Sequence, residues 1–311
     1  MNTAKMNDWT QNRDEKIDAA RTMLADAVGA IQSGDEWRDM LATLARGGRL
    51  SLRRLSFRNQ MLVMIQRPDA SCVATYGAWQ KAGRQVRKGE RALTILAPVI
   101  VSKNTAENAD ERDSVCVGFR PMATFAGEQT DALAGRHGRP LPESVRITKD
   151  VTGEEAFENS VDQLREIALG LGHDVVSAFE LRARQPGDCV RAHGWFDRTT
   201  KAIVVVTGET SRAQTFKTAV HEVAHALLNG GDEHHARPEM EVEAESVAFV
   251  VSSVLGLDTG AYSFPYVAVW AGEENAQAMV LRSGQRIVEA VNAILDALIG
   301  DESQPVEHEA A

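Results

Sequence analysis

The stretch "TAVHEVAHALL" (218–228) decides how the second half of this chain is read. Phe216, Ala219, Val220, Val223, Ala224, Leu227 and Leu228 recur at helical spacing, which predicts a buried amphipathic helix. His221 and His225 lie one turn apart on the same side, so both imidazoles can reach one ion. Glu222 sits roughly 100° further round, beside such an ion rather than on it. Two histidines with an adjacent carboxylate at this spacing are the ligand-and-base arrangement of a zinc hydrolase, with Glu222 as general base. Two core histidines are the bland alternative. With eight histidines in 311 residues, chance delivers the pattern only about 0.02 times per chain.

Zinc needs a third protein ligand while one position stays open for water. The segment "EMEVEAESVAFVVSSVLG" (239–256) offers four glutamates. Ala244, Val247, Ala248, Val251 and Leu255 set its buried face. Glu241 falls nearest that face, whereas Glu243 and Glu245 fall on its flanks. A ligand must point toward the histidine helix, so Glu241 is the expected third ligand. Glu245, one turn on, can accept a hydrogen bond from a ligating imidazole. His234 and His235, in "GGDEHHARP", are rival ligands in a loop, and a solvated helix face is the bland account of the glutamates. Tyr262 and Tyr266 can polarise a scissile carbonyl or simply pack.

Outward from these helices, "GWFDRTTKAIVVV" (194–206) reads as a hairpin, and further helices are expected at 154–171, 210–229, 237–255 and 275–298. The second half is therefore mainly helical with a small sheet. In the first half, helical spacing covers 9–33, 36–45 and a single run over 51–66 that stops before Pro68. "ALTILAPVIV" (92–101) and "VCVGFRPMATF" (115–125) read as strands, joined by an uneven polar loop near 103–115. "AGRHGRPLPES" (134–144) concentrates Gly, Pro and charge and reads as a linker. The expectation is an α+β chain of two domains, 1–145 (with an N-terminal helix in 1–34) and 146–311.

The net charge is −10, but it is unevenly spread. Residues 36–104 hold thirteen basic and four acidic side chains, a surplus of +9 that leaves −19 for the remainder. Opposite signs suggest two tasks. Bunched cations with Phe57, Tyr76 and Trp79 among them are the ingredients of a single-strand binder, since cations track phosphates and rings stack on bases. A solvated basic face over core aromatics fits the same composition. Three cysteines (Cys72, Cys116, Cys189), widely spaced, read as reduced thiols of a cytoplasmic protein. No apolar run is long enough for a membrane span, and the first residues lack the apolar core of a secretory signal.

The segment "SFRNQMLVMIQRPDASCVATYGAWQKAGRQVRKGERALTILAPV" (56–99) resembles the N-terminal single-strand-binding domain of the ArdC antirestriction family, also found in plasmid primases and LtrC-like proteins. The resemblance runs through Asn59, Gln66, Pro68, Asp69, Ala70, Trp79, Gly83, Arg84, Val86, Lys88, Gly89, Glu90 and Pro98. Gln129, Thr130, Leu141 and Pro142 match the domain's closing segment. The second half resembles the zincin-type metallopeptidase domain found with it, related to the ImmA/IrrE peptidases. There the third ligand lies three residues before an alanine matching Ala244, which again indicates Glu241. The resemblance implies single-stranded DNA as partner, with Arg53, Arg54, Arg58, Asn59, Lys81, Arg84, Arg87, Lys88, Tyr76 and Trp79 as contacts. It also implies one Zn2+ per chain, or another divalent metal in its place, and a protein substrate that it does not identify. Protection of incoming mobile-element DNA is the role implied. The insertion near 103–115 departs from the family pattern.

Overall fold

The computed structural model describes residues 3–47, 51–103, 113–133, 153–188, 192–197, 199–229, 237–257, 264 and 276–299. The chain forms two compact units, one of Met1–Val28 with Arg58–Glu143 and one of Gly29–Phe57 with Ser144–Ala311. The expected cut at 145 therefore misassigns Gly29–Phe57, which packs within the second unit. The proposed linker at 134–144 lies outside the described residues.

In the first unit α1 spans Thr3–Gly29 and buries Ala20, Leu24 and Val28. The expected single helix over 51–66 is two elements: a 3-10 turn at Ser51–Arg54 and α3 at Phe57–Gln66. Ser56, a residue type that favours helix starts, sits at the break. The strands β1 (Val73–Ala74), β3 (Leu93–Lys103) and β4 (Asp113–Ala126) form an antiparallel sheet in the order β1-β4-β3. β3 runs on to Lys103 and β4 begins at Asp113, so both strands extend into the segment expected to be a polar loop, and its residues 104–112 lie outside the described residues. A short helix α4 (Tyr76–Lys81) and a two-stranded pairing of β2 (Arg84–Val86) with β5 (Thr130–Ala132) complete this unit. α3 closes the outer edge of β3 through two side-chain amides. Asn59 bonds both the N–H and C=O of Leu96, and Gln66 does the same at Thr94, all at 2.8–2.9 Å.

The second unit is built around a helix. α7 (Arg237–Val254) packs against α6 (Arg212–Asn229), α8 (Ala276–Ile299) and α2 (Gly34–Gly47). With neighbours on three sides it is buried nearly all round, including Met240, Val242, Glu243, Ala244, Ser246, Val247 and Val250. Trp37 of α2, fully buried, donates its indole N–H to Ser246 Oγ at 2.9 Å. A sheet of β6 (Ala178–Ala183), β8 (Ala202–Thr207) and β7 (Gly194–Asp197), in the order β6-β8-β7, lies with β8 and β7 against α6. The expected hairpin is β7–β8, antiparallel; β6, parallel to β8, is an addition. α5 (Glu154–Gly170) packs on α6 and α8. Among the described residues no helix is long and apolar enough to cross a membrane.

Close approach fixes one glycine. A Cβ on Gly284 of α8 would fall 2.4–2.5 Å from the ring of Phe57, which is itself 0% exposed. Gly284→Ala gains about 1 kcal/mol of helix propensity but overpacks a site with no slack, at about 1–3 kcal/mol. We expect net destabilisation in urea unfolding, largely relieved in Gly284→Ala/Phe57→Leu, where the ring is gone.

Candidate functional site

α6 begins after Ser211, whose Oγ accepts the N–H of Gln214, a cap for the first turn. Phe216, Ala219, Val220, Val223 and Ala224 are fully buried and fix the helix's rotation. His221 and His225 then share a side, and α7 brings Glu241 to them. His221 Nε2 and His225 Nε2 are 3.1 Å apart, and each is 3.5 Å from Glu241 Oε2. Donors about 2.1 Å from a tetrahedral ion lie about 3.4 Å from one another. The triangle has the size and the donor chemistry of a divalent-metal site. One proton can serve only one of its three pairs at a time.

The neighbouring groups orient these donors. His221 Nδ1 is buried without a well-aligned hydrogen bond, and its nearest acceptor is Glu245 Oε2 at 3.2 Å. Glu245 Oε1 in turn accepts from Lys217 Nζ at 2.9 Å. Burial pushes the His221 imidazolium down, but bonding to Glu241 and Glu245 outweighs it and raises the pKa to about 10. Hydrogen bonds from His221 and His225 hold Glu241 well below the usual carboxylate range. For Glu245 burial acts upward, yet His221 and Lys217 keep it lowered. A cation at the triangle would take over from these protons.

Glu222 is buried, and burial raises its pKa more than the two histidines lower it. It packs under β7. A Cβ on Gly194 would meet Thr218 Cγ2 at 2.6 Å and Glu222 Cγ and Oε1 at 3.1 and 3.2 Å. The backbone N–H of Phe196 bonds the Glu222 carboxylate.

The glutamates of α7 do not form a solvated face. Glu239 pairs with Arg282 at 2.8 Å, and Glu243, 0% exposed, with Arg286 at 3.1 Å; Arg286 also bonds the carbonyl of Leu228. Three of the four thus have an Arg or Lys partner. Among the described residues Glu241 has only imidazoles, and its side chain is 46% exposed. Lys217, Arg286 and Gly194 were not anticipated. Only Lys217 left a signal, four residues before His221 on the same face. His234, His235, Tyr262, Tyr266 and Cys189 lie outside the described residues.

The residues expected to touch DNA separate into two groups. Arg58, Lys81, Arg87, Lys88 and Tyr76 are exposed. Asn59, Trp79 and Arg84 are not available: Asn59 holds β3, Trp79 donates its indole N–H to Phe125 O at 2.8 Å, and Arg84 bonds Thr130 Oγ1 and O at 2.7 and 3.0 Å. Phe57 is core. Arg54 belongs to the second unit and pairs with Asp296 at 2.9 Å, and the Arg53 side chain lies outside the described residues.

Glu241→Ala and Glu243→Ala are expected to fail differently. The first removes a triangle donor, so divalent-metal affinity measured by chelator competition falls at least tenfold while thermal stability of the metal-free protein barely changes. The second strands the half-buried Arg286 and costs roughly 3 kcal/mol of stability, with the donors intact. Equal effects on metal binding would contradict the geometry.

Residues 19–136 match the N-terminal domain of anti-restriction factor ArdC. An uncharacterized protein of Bacillus anthracis is 24% identical over 287 residues, covering 84% of this chain and 47% of that protein. The chain thus spans less than half the length of this relative. The antirestriction ArdC protein from R388 plasmid is similar in structure. Its metal-free crystal structure gives a TM-score of 0.49 at 14% identity, and its Mn(II)-bound structure 0.47 at 15%, each over 84% of this chain and 96% of that chain. What these comparisons show is a match of residues 19–136, less than half of the chain, to the N-terminal domain of anti-restriction factor ArdC.

Proposed function

We propose that this chain is an antirestriction protein that binds single-stranded DNA through its first unit. In the same proposal the second unit is a divalent-metal peptidase, with zinc the ion favoured by a His2Glu donor set. The observation that carries the peptidase reading is the triangle of His221, His225 and Glu241 with Glu222 buried beside it. A cation bound there supplies Lewis acidity and lowers the pKa of water. Glu222 is the base: its carboxylate takes a proton from water and delivers it to the leaving amine. Its raised pKa moves toward the working pH, as such a role requires.

Two features favour catalysis over a purely structural metal. Structural zinc sites are closed by four protein ligands, whereas among the described residues three donors converge here and Glu241 remains half exposed. In addition, β7 pairs only with β8 among the described residues. Its free edge, beside Glu222, can hold an extended peptide by backbone hydrogen bonds. The substrate is then a protein segment in extended form, and a repressor cleaved in response to DNA is one form of it. The DNA reading rests on the match of residues 19–136 and on the exposed cations of that unit. Incoming mobile-element DNA in the cytoplasm is the proposed target.

Glu222→Gln should keep metal bound and abolish proteolysis, because an amide cannot accept the proton. Should protection of transferred DNA survive this change undiminished, the peptidase is dispensable and the binding role stands alone. Binding of full-length protein to oligo-dT should weaken with a log–log salt slope of about −3 to −4, from roughly 0.7 for each of four to six phosphate contacts. Fluorescence anisotropy checks this, and tighter binding to duplex of equal length would contradict the single-strand reading.

A further inference from the structure

The sheet of the first unit has one core face and one open face. Register pairs Leu93 with Thr124, Ile95 with Met122 and Ala97 with Arg120 on one side. Leu93, Ile95, Ala97 and Thr124 are buried there. The alternate positions pair Thr94 with Ala123, Leu96 with Pro121 and Pro98 with Phe119 on the other side. That side stays open: Pro98 and Ala123 are exposed, Ile100 is 61% exposed and Phe119 is 45% exposed. Phe125 follows Phe119 on the same face, about 20 Å along the strand. Tyr76 stands edge-on to the Phe125 ring, with centroids 6.4 Å apart, and is 44% exposed.

Among the described residues, Tyr76 and Phe119 are the only aromatic rings among the large exposed apolar side chains, and both belong to this one face. The same unit carries exposed cations that a polyanion can meet: among the described side chains of residues 58–133 these are Arg58, Lys81, Arg87, Lys88 and Arg91, with Arg120 on the opposite side of the sheet. Among the same described side chains the exposed carboxylates are Asp69 and Asp131, and Asp131 is already paired with Arg87 at 3.2 Å. A solvent-exposed aromatic on a sheet costs apolar exposure unless a partner covers it, and unpaired bases cover rings of this kind while the strand's phosphates meet the cations.

We propose that this open sheet face, with Phe119 and Tyr76 as its stacking rings, is where single-stranded DNA lies on the first unit. The proposal rests on the single-strand reading above and specifies its surface. It replaces Trp79, which the fold buries, with a ring that composition did not single out. Because the rings stack on any base, binding at this face is tolerant of sequence, and because stacking needs an unpaired face, duplex is excluded.

The native thiol Cys116 pairs with Ile100 at the far end of the face and is exposed, whereas Cys72 is buried. The experiment uses the full-length protein with fluorescein-labelled oligo-dT at low salt, together with maleimide labelling read peptide by peptide. Phe119→Ala should weaken binding by about 5- to 140-fold, the range for loss of one stacked base. Its salt slope should match wild type, since no phosphate contact is lost. Phe119→Tyr should bind within about twofold of wild type, because a ring remains to stack. Tyr76→Ala should weaken binding similarly, and saturating oligo-dT should slow labelling of Cys116. If wild type binds no oligo-dT, the single-strand reading itself falls. If wild type binds but Phe119→Ala and Tyr76→Ala bind equally well and Cys116 is unprotected, the DNA lies elsewhere and this surface is rejected. Rejection also follows if Phe119→Ala instead dissolves a dimer seen in sedimentation while DNA affinity is unchanged, for the face is then a contact between copies.

Discussion

Four carboxylates on one buried helix are the constraint around which the second unit is organised. A charge taken out of water must find a partner or lose its proton. α7 is packed on three sides, so each glutamate is answered from a neighbouring helix: Glu239 and Glu243 by Arg282 and Arg286 of α8, Glu245 by Lys217 of α6. These pairs set the rotation of α7 between its neighbours. Glu241 then faces α6 with no Arg or Lys partner among the described residues, opposite two imidazoles. At three positions the answering charge is an Arg or a Lys; at the fourth it is the His221 imidazolium, whose pKa Glu241 and Glu245 raise to about 10. The divalent cation proposed for His221, His225 and Glu241 would replace that proton, which would tie metal affinity to the packing of the helical layer.

Arg286 shows how the same constraint reaches the histidines. Its guanidinium bonds Glu243 on α7 and the carbonyl of Leu228 near the end of α6. Carbonyls in the last turn of a helix lack intrahelical partners, and a cation there also suits the helix dipole. One side chain therefore ties the end of the histidine helix to the helix that supplies Glu241. Lys217 acts from the opposite side of the site, holding Glu245 so that its second oxygen stays near His221 Nδ1. A carboxylate beside Nδ1 favours the ring orientation that directs Nε2 into the triangle.

The parts of this site that were legible in the sequence are those governed by local periodicity. Four-residue spacing places His221 and His225 together whatever surrounds the helix, and Glu241 followed from the wheel of α7. Glu243 was misjudged because a wheel assumes one wet side. That α2 and α8 would cover the remaining sides of α7 depends on contacts more than two hundred and more than forty residues away, through Trp37 and Arg286. The same long-range packing carries Gly29–Phe57 into the second unit. β6, "AFELRA", lacks the β-branched run that marks β8, and its pairing depends on β8 rather than on its own residues.

Asn59, Arg84 and Trp79 illustrate a different limit. Residues that define a domain's pattern are as often those that hold its strands as those that meet its ligand, and in sequence the two are indistinguishable. Here Asn59 and Gln66 close the edge of β3, and Arg84 and Trp79 tie β2 and α4 to the chain near β5 and β4. The charge count suffers in the same way. The +9 segment straddles both units: residues 58–104 contain eight of its thirteen cations against Asp69 and Glu90. Of those eight, Arg84 is buried, while Arg67 and Arg87 are held by carboxylates. Exposed ion pairs are weak enough for a phosphate to displace, so Arg87 remains usable, but Arg84 does not. A polyanion responds to the charge at the surface, and that is smaller and more localised than the sequence total. In the proposed single-strand reading, stacking on Phe119 and Tyr76 would add to what these cations supply.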